Sequence, residues 1–270
     1  MKKRTACLSP IDYNWRIFAD EFFSHENEPN TEGSINLART AAGVEYRGGS
    51  LTADAAPTDN YYHGGERIGG WAESTWAIDD QWSISDRGEI FSRDTPLRAI
   101  NAGVTANSLN AGVNWRQSES RDVGVTGEVM RFTDGNVRTS LDGTYTQRVY
   151  TQPNFYVDGL INVGESQNSE NEDRLYYNPS RDVLGLVGAR ATQILYQRYE
   201  TVYEHSLQIM PGAYWEENFG TSDAITARYE QRIRYNDVID AAIDLNFSHQ
   251  SYDGVPENDF GVTLNLIDRF

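Results

Sequence analysis

Carboxylates recur at every second or fourth position of several alternating polar–apolar segments, and that spacing limits what they can do. Asp240 and Asp244 stand four apart, interleaved with Ile239, Ala241, Ile243 and Leu245. Residues two or four apart share a face of an extended strand, so both acids look one way and the aliphatic residues look the other. The same phase puts Glu73, Glu89, Glu128, Asp142, Asp158, Glu204 and Glu230 on polar faces, with Glu45 and Asp54 beside them. Arg87, Arg116, Arg148, Arg228, Arg232 and Arg234 share those faces. Three chemistries fit such a set. Paired acids can act as the general acid and the nucleophile or base of a glycosidase. Acids spread over many strands can attract a cationic or hydroxyl-rich cargo by charge and hydrogen bonding. Arg–carboxylate networks can also simply hold a narrow wall together.

Other catalytic patterns are missing. There is no Gly-x-Ser-x-Gly elbow, no phosphate-binding glycine loop and no His-Glu-x-x-His. His25, His63, His205 and His249 are scattered, and Cys7 stands alone, so neither a metal set nor a disulfide framework is expected. No catalytic residue, metal or cofactor is therefore assigned. Tyr150, Tyr156 and Tyr214 fall on the polar phase, where they could stack on sugar rings or fill space. The net charge of −17 lacks the basic footprint that nucleic acid needs.

The elements carrying these residues are long strands. Leu109, Ala111, Val113 and Trp115 alternate with Asn110, Gly112, Asn114 and Arg116, and the pattern repeats through the chain. The final stretch places Phe260, Val262, Leu264 and Leu266 on one face and closes on Phe270. A soluble sandwich would also alternate. Many of these runs reach about ten residues, as tilted membrane strands do, whereas soluble strands are typically about five or six. Trp15, Trp76, Trp82, Trp115 and Trp215 lie near strand ends, where interfacial aromatic girdles belong. We expect an all-β fold, a transmembrane antiparallel outer-membrane β-barrel, as one domain over residues 1–270, with Phe270 as the membrane-assembly signal.

Strands are predicted near 3–8, 14–23, 35–47, 50–56, 67–78, 81–91, 105–117, 121–132, 137–150, 154–165, 183–195, 201–215, 224–235, 238–250 and 258–270. Short turns are expected at 48–49, 79–80, 152–153 and 236–237. Longer polar loops are expected at 24–34, 57–66, 92–104, 166–182, 216–223 and 251–257, with a tight turn at 134–136 on their side. Short periplasmic turns and long extracellular loops are the barrel pattern. Fifteen strands is an odd number where single-chain bacterial barrels use an even one. A first strand outside this chain, or two strands merged in the count, would account for it. Met1-Lys2-Lys3-Arg4 carries charge but no apolar run follows, so a secretion signal is also expected to lie outside the chain.

Five stretches in order resemble a known family: Ala-Gly-Val-Glu-Tyr-Arg (42–47), Thr-Pro-Leu-Arg-Ala-Ile-Asn-Ala-Gly-Val-Thr (95–105), Tyr-Tyr-Asn-Pro (176–179), Asn-Asp-Val-Ile-Asp-Ala (236–241) and Ser-Tyr-Asp-Gly-Val-Pro-Glu (251–257). Together they resemble the C-terminal barrel of the poly-β-1,6-N-acetyl-D-glucosamine export porins, the PgaA/HmsH family. The resemblance implies a sixteen-stranded barrel preceded by a periplasmic helical-repeat (TPR) domain. It also implies export of a partially de-acetylated biofilm polysaccharide across the Gram-negative outer membrane, beside a de-acetylase of the same system. Glu45, Glu89, Asp158, Glu204 and Asp240 are the acidic positions that the resemblance favours. Free amines on such a polymer are cationic and would suit an acidic lumen, with loops 92–104 and 166–182 as flaps. The rival readings are a general diffusion porin or surface adhesin barrel, and an outer-membrane barrel hydrolase.

Overall fold

The structure is a computed structural model that describes residues 2–11, 13–27, 34–62, 65–170, 176–236 and 238–269. The strands are β1 (Lys2–Pro10), β2 (Trp15–Asn27), β3 (Ser34–Arg47), β4 (Leu51–Tyr62), β5 (Gly65–Ala77), β6 (Trp82–Ile90), β7 (Ala106–Ser118) and β8 (Arg121–Phe132). They continue as β9 (Val137–Gln152), β10 (Phe155–Asn168), β11 (Arg181–Arg198), β12 (Thr201–Glu216), β13 (Gly220–Tyr235), β14 (Ile239–Tyr252) and β15 (Val255–Arg269). Among the described residues one helix, α1 (Leu97–Asn101), interrupts them between β6 and β7.

Each strand pairs with its neighbours in sequence, and β1 and β15 close the sheet into a barrel. Fifteen strands running alternately up and down leave the first and last pointing the same way. The seam is accordingly parallel, with Lys2 opposite Thr263 and Leu8 opposite Arg269. No element combines two strands, so merging does not explain the odd count.

The orientation of the faces decides the environment. Leu109 is 62% exposed and Phe260 82%, and Val113, Leu141, Val163, Ile243 and Leu245 also look outward. A water-soluble protein rarely leaves so continuous an apolar surface uncovered. Around a closed cylinder it is the lipid-contacting band. Trp15, Trp76, Trp82 and Trp115 stand at one rim and Trp215 at the other, and the Trp82 and Trp115 rings lie 6.2 Å apart. Trp71 faces inward instead and stacks on Phe18, centroids 5.6 Å apart.

Three expectations need correction. Loops 57–66, 216–223 and 251–257 are mostly strand: β4 runs to Tyr62, β13 starts at Gly220, and Asp253-Gly254 alone links β14 to β15. Asp253 and Gly254 both have positive φ, 52° and 73°, as a two-residue hairpin turn whose twist matches its strands requires. Tyr150 does not face the lumen. A bulge shifts the register so that Arg148 pairs with Asp158 but Tyr150 pairs with Val157, and the extra residue turns Tyr150 to the lipid side. The segment 92–104 contains α1 rather than irregular loop alone. The longest links, 91–105 and 169–180, lie on the same rim, which is therefore the extracellular one. Phe270 lies outside the described residues.

Gly212 and Gly188 face inward, each with backbone of the neighbouring strand close by. A Cβ at Gly212 would run into the Gly185 carbonyl oxygen, and one at Gly188 into that of Ile209. Both obstacles are backbone, so a side chain there must push strands apart. Gly212→Val is expected to destabilise the barrel by about 1–3 kcal/mol, read as a lower temperature for the loss of heat-modifiable migration on gels. An unchanged transition would contradict the close approach.

Candidate functional site: an acidic lumen and its inward loop

The nine acids expected along the lumen, Glu45, Glu89, Glu128, Asp142, Asp158, Glu204, Glu230, Asp240 and Asp244, sit on inward positions, and the structure sorts them by partner. Glu45, Glu89, Asp158 and Asp244 are buried. Glu45 meets Arg16 at 3.3 Å and Arg47 at 2.7 Å. Asp158 bridges Arg148 at 3.0 Å and Arg190 at 3.1 Å. Arg228 holds Asp244 at 2.5 Å and Glu230 at 2.7 Å, Arg232 holds Asp240, and Arg234 reaches Glu204 at 3.3 Å. Seven of the nine acids, counting Glu89 below, are thus committed to arginine. Glu128 and Asp142 have no ion pair among the described residues. Arg116, also inward, pairs loosely with Asp122 at 3.6 Å. Tyr156 lies under the Arg148 guanidinium, 3.7 Å from ring centroid to Cζ, and so serves as a packing partner.

Glu89 is the hub of the wall. It contacts Arg39 at 3.4 Å, Arg87, and Arg93 at 3.8 Å, and it accepts the Arg93 backbone N–H at 2.8 Å. The Glu89 side chain is 1% exposed and that of Arg39 4%. Arg39 also donates to Asn60 Oδ1 at 2.7 Å and to the Phe91 carbonyl. Strands β3, β4 and β6 and the start of the 91–105 segment therefore meet at one charge cluster.

That cluster turns the segment into the bore. Phe91 takes φ 58°, a region a bulky residue occupies only when its surroundings impose it. Asn107 Oδ1 accepts its N–H at 3.1 Å. Phe91, Leu37 and Ile100 then form a buried cluster with Phe22, Tyr62 and Leu97 around it. Pro96 precedes α1, and Gly103 follows it with φ 78°. Val104 N–H to Ala99 O and Gly103 N–H to Ile100 O, both 2.9 Å, close the helix end as the Schellman pattern does. Pro at the start and Gly past the end was the legible signal for this helix.

The second long link also packs inward. Tyr176 stacks on Phe132, centroids 5.1 Å apart, and donates to Asp134 Oδ2 at 3.0 Å. The fully buried Asn136 donates to Asn178 Oδ1 at 2.7 Å and Asn168 Oδ1 at 3.0 Å. Beside them Tyr177 bonds the Tyr214 hydroxyl and sets its ring edge-on to Tyr252, 4.8 Å away. Burial pushes the Tyr177 phenol well above its ordinary value, so it remains a neutral hydrogen-bonding group. These tyrosines border a cavity of about 420 Å³ that also receives Glu128, Asp142 and Asp182. Such a volume suits a small ligand or a segment of a chain. Glu128 and Asp142, the acids without an ion pair, converge here beside Arg138.

The model of the PgaA membrane β-barrel domain matches residues 5–270. The chain belongs to this family. Two poly-β-1,6-N-acetyl-D-glucosamine export proteins, from Escherichia coli strain K12 and Escherichia coli O157:H7, are each 33% identical over 265 residues. That alignment covers 97% of this chain and 32% of theirs, so the chain spans about a third of the length of these curated relatives. A solved bacterial polysaccharide outer membrane secretin superposes with a TM-score of 0.87 at 31% identity, over 97% of this chain and 88% of that one. The chain is thus an outer-membrane β-barrel. Sequence phase located its wall acids but not Arg39, Arg93, Asp94, Asp182, Tyr177 or Tyr252. Arg39 was obscured among residues of both polarities, and most of the others lie in or beside the links, where alternation carries no information.

Glu89→Ala removes the counter-charge from buried guanidinium groups, a change that costs about 3–5 kcal/mol when a buried pair is broken. A drop of that size in barrel stability, with larger single-channel conductance as the 91–105 segment loosens, is expected. Asp122→Ala in the loose Arg116 pair should change stability by no more than about 1 kcal/mol. Equal effects from both substitutions would remove Glu89 as the hub.

Proposed function

We propose that this barrel is the outer-membrane passage for partially de-acetylated poly-β-1,6-N-acetyl-D-glucosamine, a conduit without chemistry of its own. The carrying observation is the acidic cavity, where Glu128 and Asp142 form no ion pair, Arg138 is the one base on a lining with five carboxylates among the described residues, and tyrosine rings stand beside them. Carboxylates in a bore with low-dielectric walls concentrate cations, and the free amines of de-acetylated units are cations. Tyrosine rings and hydroxyls suit the apolar faces and hydroxyls of sugars. The arginine-bound acids Glu45, Glu89, Asp158, Glu204, Glu230, Asp240 and Asp244 serve first to hold the wall, and their outer oxygens add hydrogen-bond acceptors along the path. On this reading a periplasmic TPR domain and a de-acetylase act before the barrel, and outer-membrane lipids surround it. The family relatives named as export proteins support the cargo.

In planar bilayers, β-1,6-linked glucosamine oligomers bearing free amines should block conductance, and fully N-acetylated oligomers should block far less. Asp142→Asn is expected to weaken the amine block several-fold. Equal passage of neutral and cationic sugars would favour a general diffusion porin. Cleavage of the oligomers would restore the hydrolase reading.

A further inference from the structure

The lumen holds two cavities that both border the inward segment. The larger, about 760 Å³, lies between residues 93–97 and the β12–β15 wall, which contributes Gln208, Arg228, Asn246 and Ser248. The smaller, about 420 Å³, lies between Asp94 and the β8–β12 wall with its tyrosine rim. Among the described residues, Asp94 is the one that borders both. Its side chain is 54% exposed, and its sole pairing among the described residues is a long 3.9 Å contact with Arg93. Arg93 is occupied by Glu89 at the same time.

The backbone at this point is fixed. Asp94 N–H donates to Ser92 Oγ at 3.2 Å, and Thr95 Oγ1 donates to Ser92 O at 2.7 Å. Ser108 Oγ donates to Ser92 Oγ at 3.0 Å, tying the tip to β7. Ser92 and Thr95 are buried, so the carboxylate is held out on a short, rigid support.

We infer that Asp94 is the charge-selecting residue of the bore, the group past which any solute must move between the two cavities. Its position differs in kind from that of the wall acids. Those are neutralised by arginine or line one side only, whereas Asp94 stands on an element projecting between the cavities. A cationic amino-sugar unit meets a carboxylate there and is passed on to the acids on either side; an anionic solute meets repulsion. The amino-sugar part of this inference rests on the export reading, while the ion-selectivity part does not.

The test measures both in the protein reconstituted in planar bilayers. Under a salt gradient, Asp94→Asn should move the reversal potential toward zero, Asp94→Lys should move it further, and Asp94→Glu should restore it. Asp94→Asn should also weaken block by free-amine glucosamine oligomers about fivefold, the weight of one charge pair near 4 Å in water. In a Cys7→Ser background, Asp94→Cys should react with thiol reagents carrying positive or negative charge, shifting selectivity in opposite directions. Unchanged reversal potentials in Asp94→Asn and Asp94→Lys overturn the inference, even where the oligomers still block and the export reading stands. A shifted reversal potential in a channel that free-amine oligomers never block retains Asp94 as the selector and removes the export reading.

Discussion

Everything in this barrel depends on the requirement that backbone N–H and C=O groups find partners where no water can supply them. A sheet satisfies that requirement only by closing, and closing fixes one face toward acyl chains and the other toward the bore. The alternation of the sequence then acquires a single meaning. Residues such as Leu109, Ile243 and Phe260 cover the outside, and the polar positions between them have no place left but the lumen. At the seam β1 and β15 pair in parallel.

Within the lumen, charge is distributed in two ways. Around β2–β6 and β12–β14, arginines pair with Glu45, Glu73, Glu89, Glu204, Glu230, Asp240 and Asp244, and these clusters behave as cross-braces between strands. Taking one partner away from a pair as buried as Glu89 and Arg39 leaves a charge without water or counter-charge, which makes such clusters rigid. Around β8–β11 the acids Glu128, Asp142 and Asp182 face a cavity, with Arg138 as the basic residue on its lining. On this lining, acid outnumbers base.

Strand existence, order and facing were legible because one physical rule, period-two alternation, governs every membrane-crossing residue. The nine inward acids followed from it. What alternation cannot register was hidden. Tyr150 escaped because one extra residue at the bulge reverses the phase without any change in composition. The ends of β4, β13 and β14 escaped because strands above the lipid no longer need apolar outer faces, so polar residues there resembled loops. The partners of each acid were also hidden: Asp158 meets Arg148 from one neighbouring strand and Arg190 from the other, and only register brings them together.

The inward segment ties these strands of argument into one mechanism for narrowing a wide tube. A barrel of this strand number leaves an aqueous channel of its own accord. Selectivity therefore has to be added by something that crosses the space, and a loop can do so only if its own polar backbone is satisfied inside. Here Arg39 and Asn107 take the carbonyl and amide of Phe91, a closed helix end satisfies the far side of the segment, and Leu37, Phe91 and Ile100 supply the apolar core. The wall acid Glu89 does its work through this arrangement. It fixes the element that narrows the bore, and with that element the position of the Asp94 carboxylate.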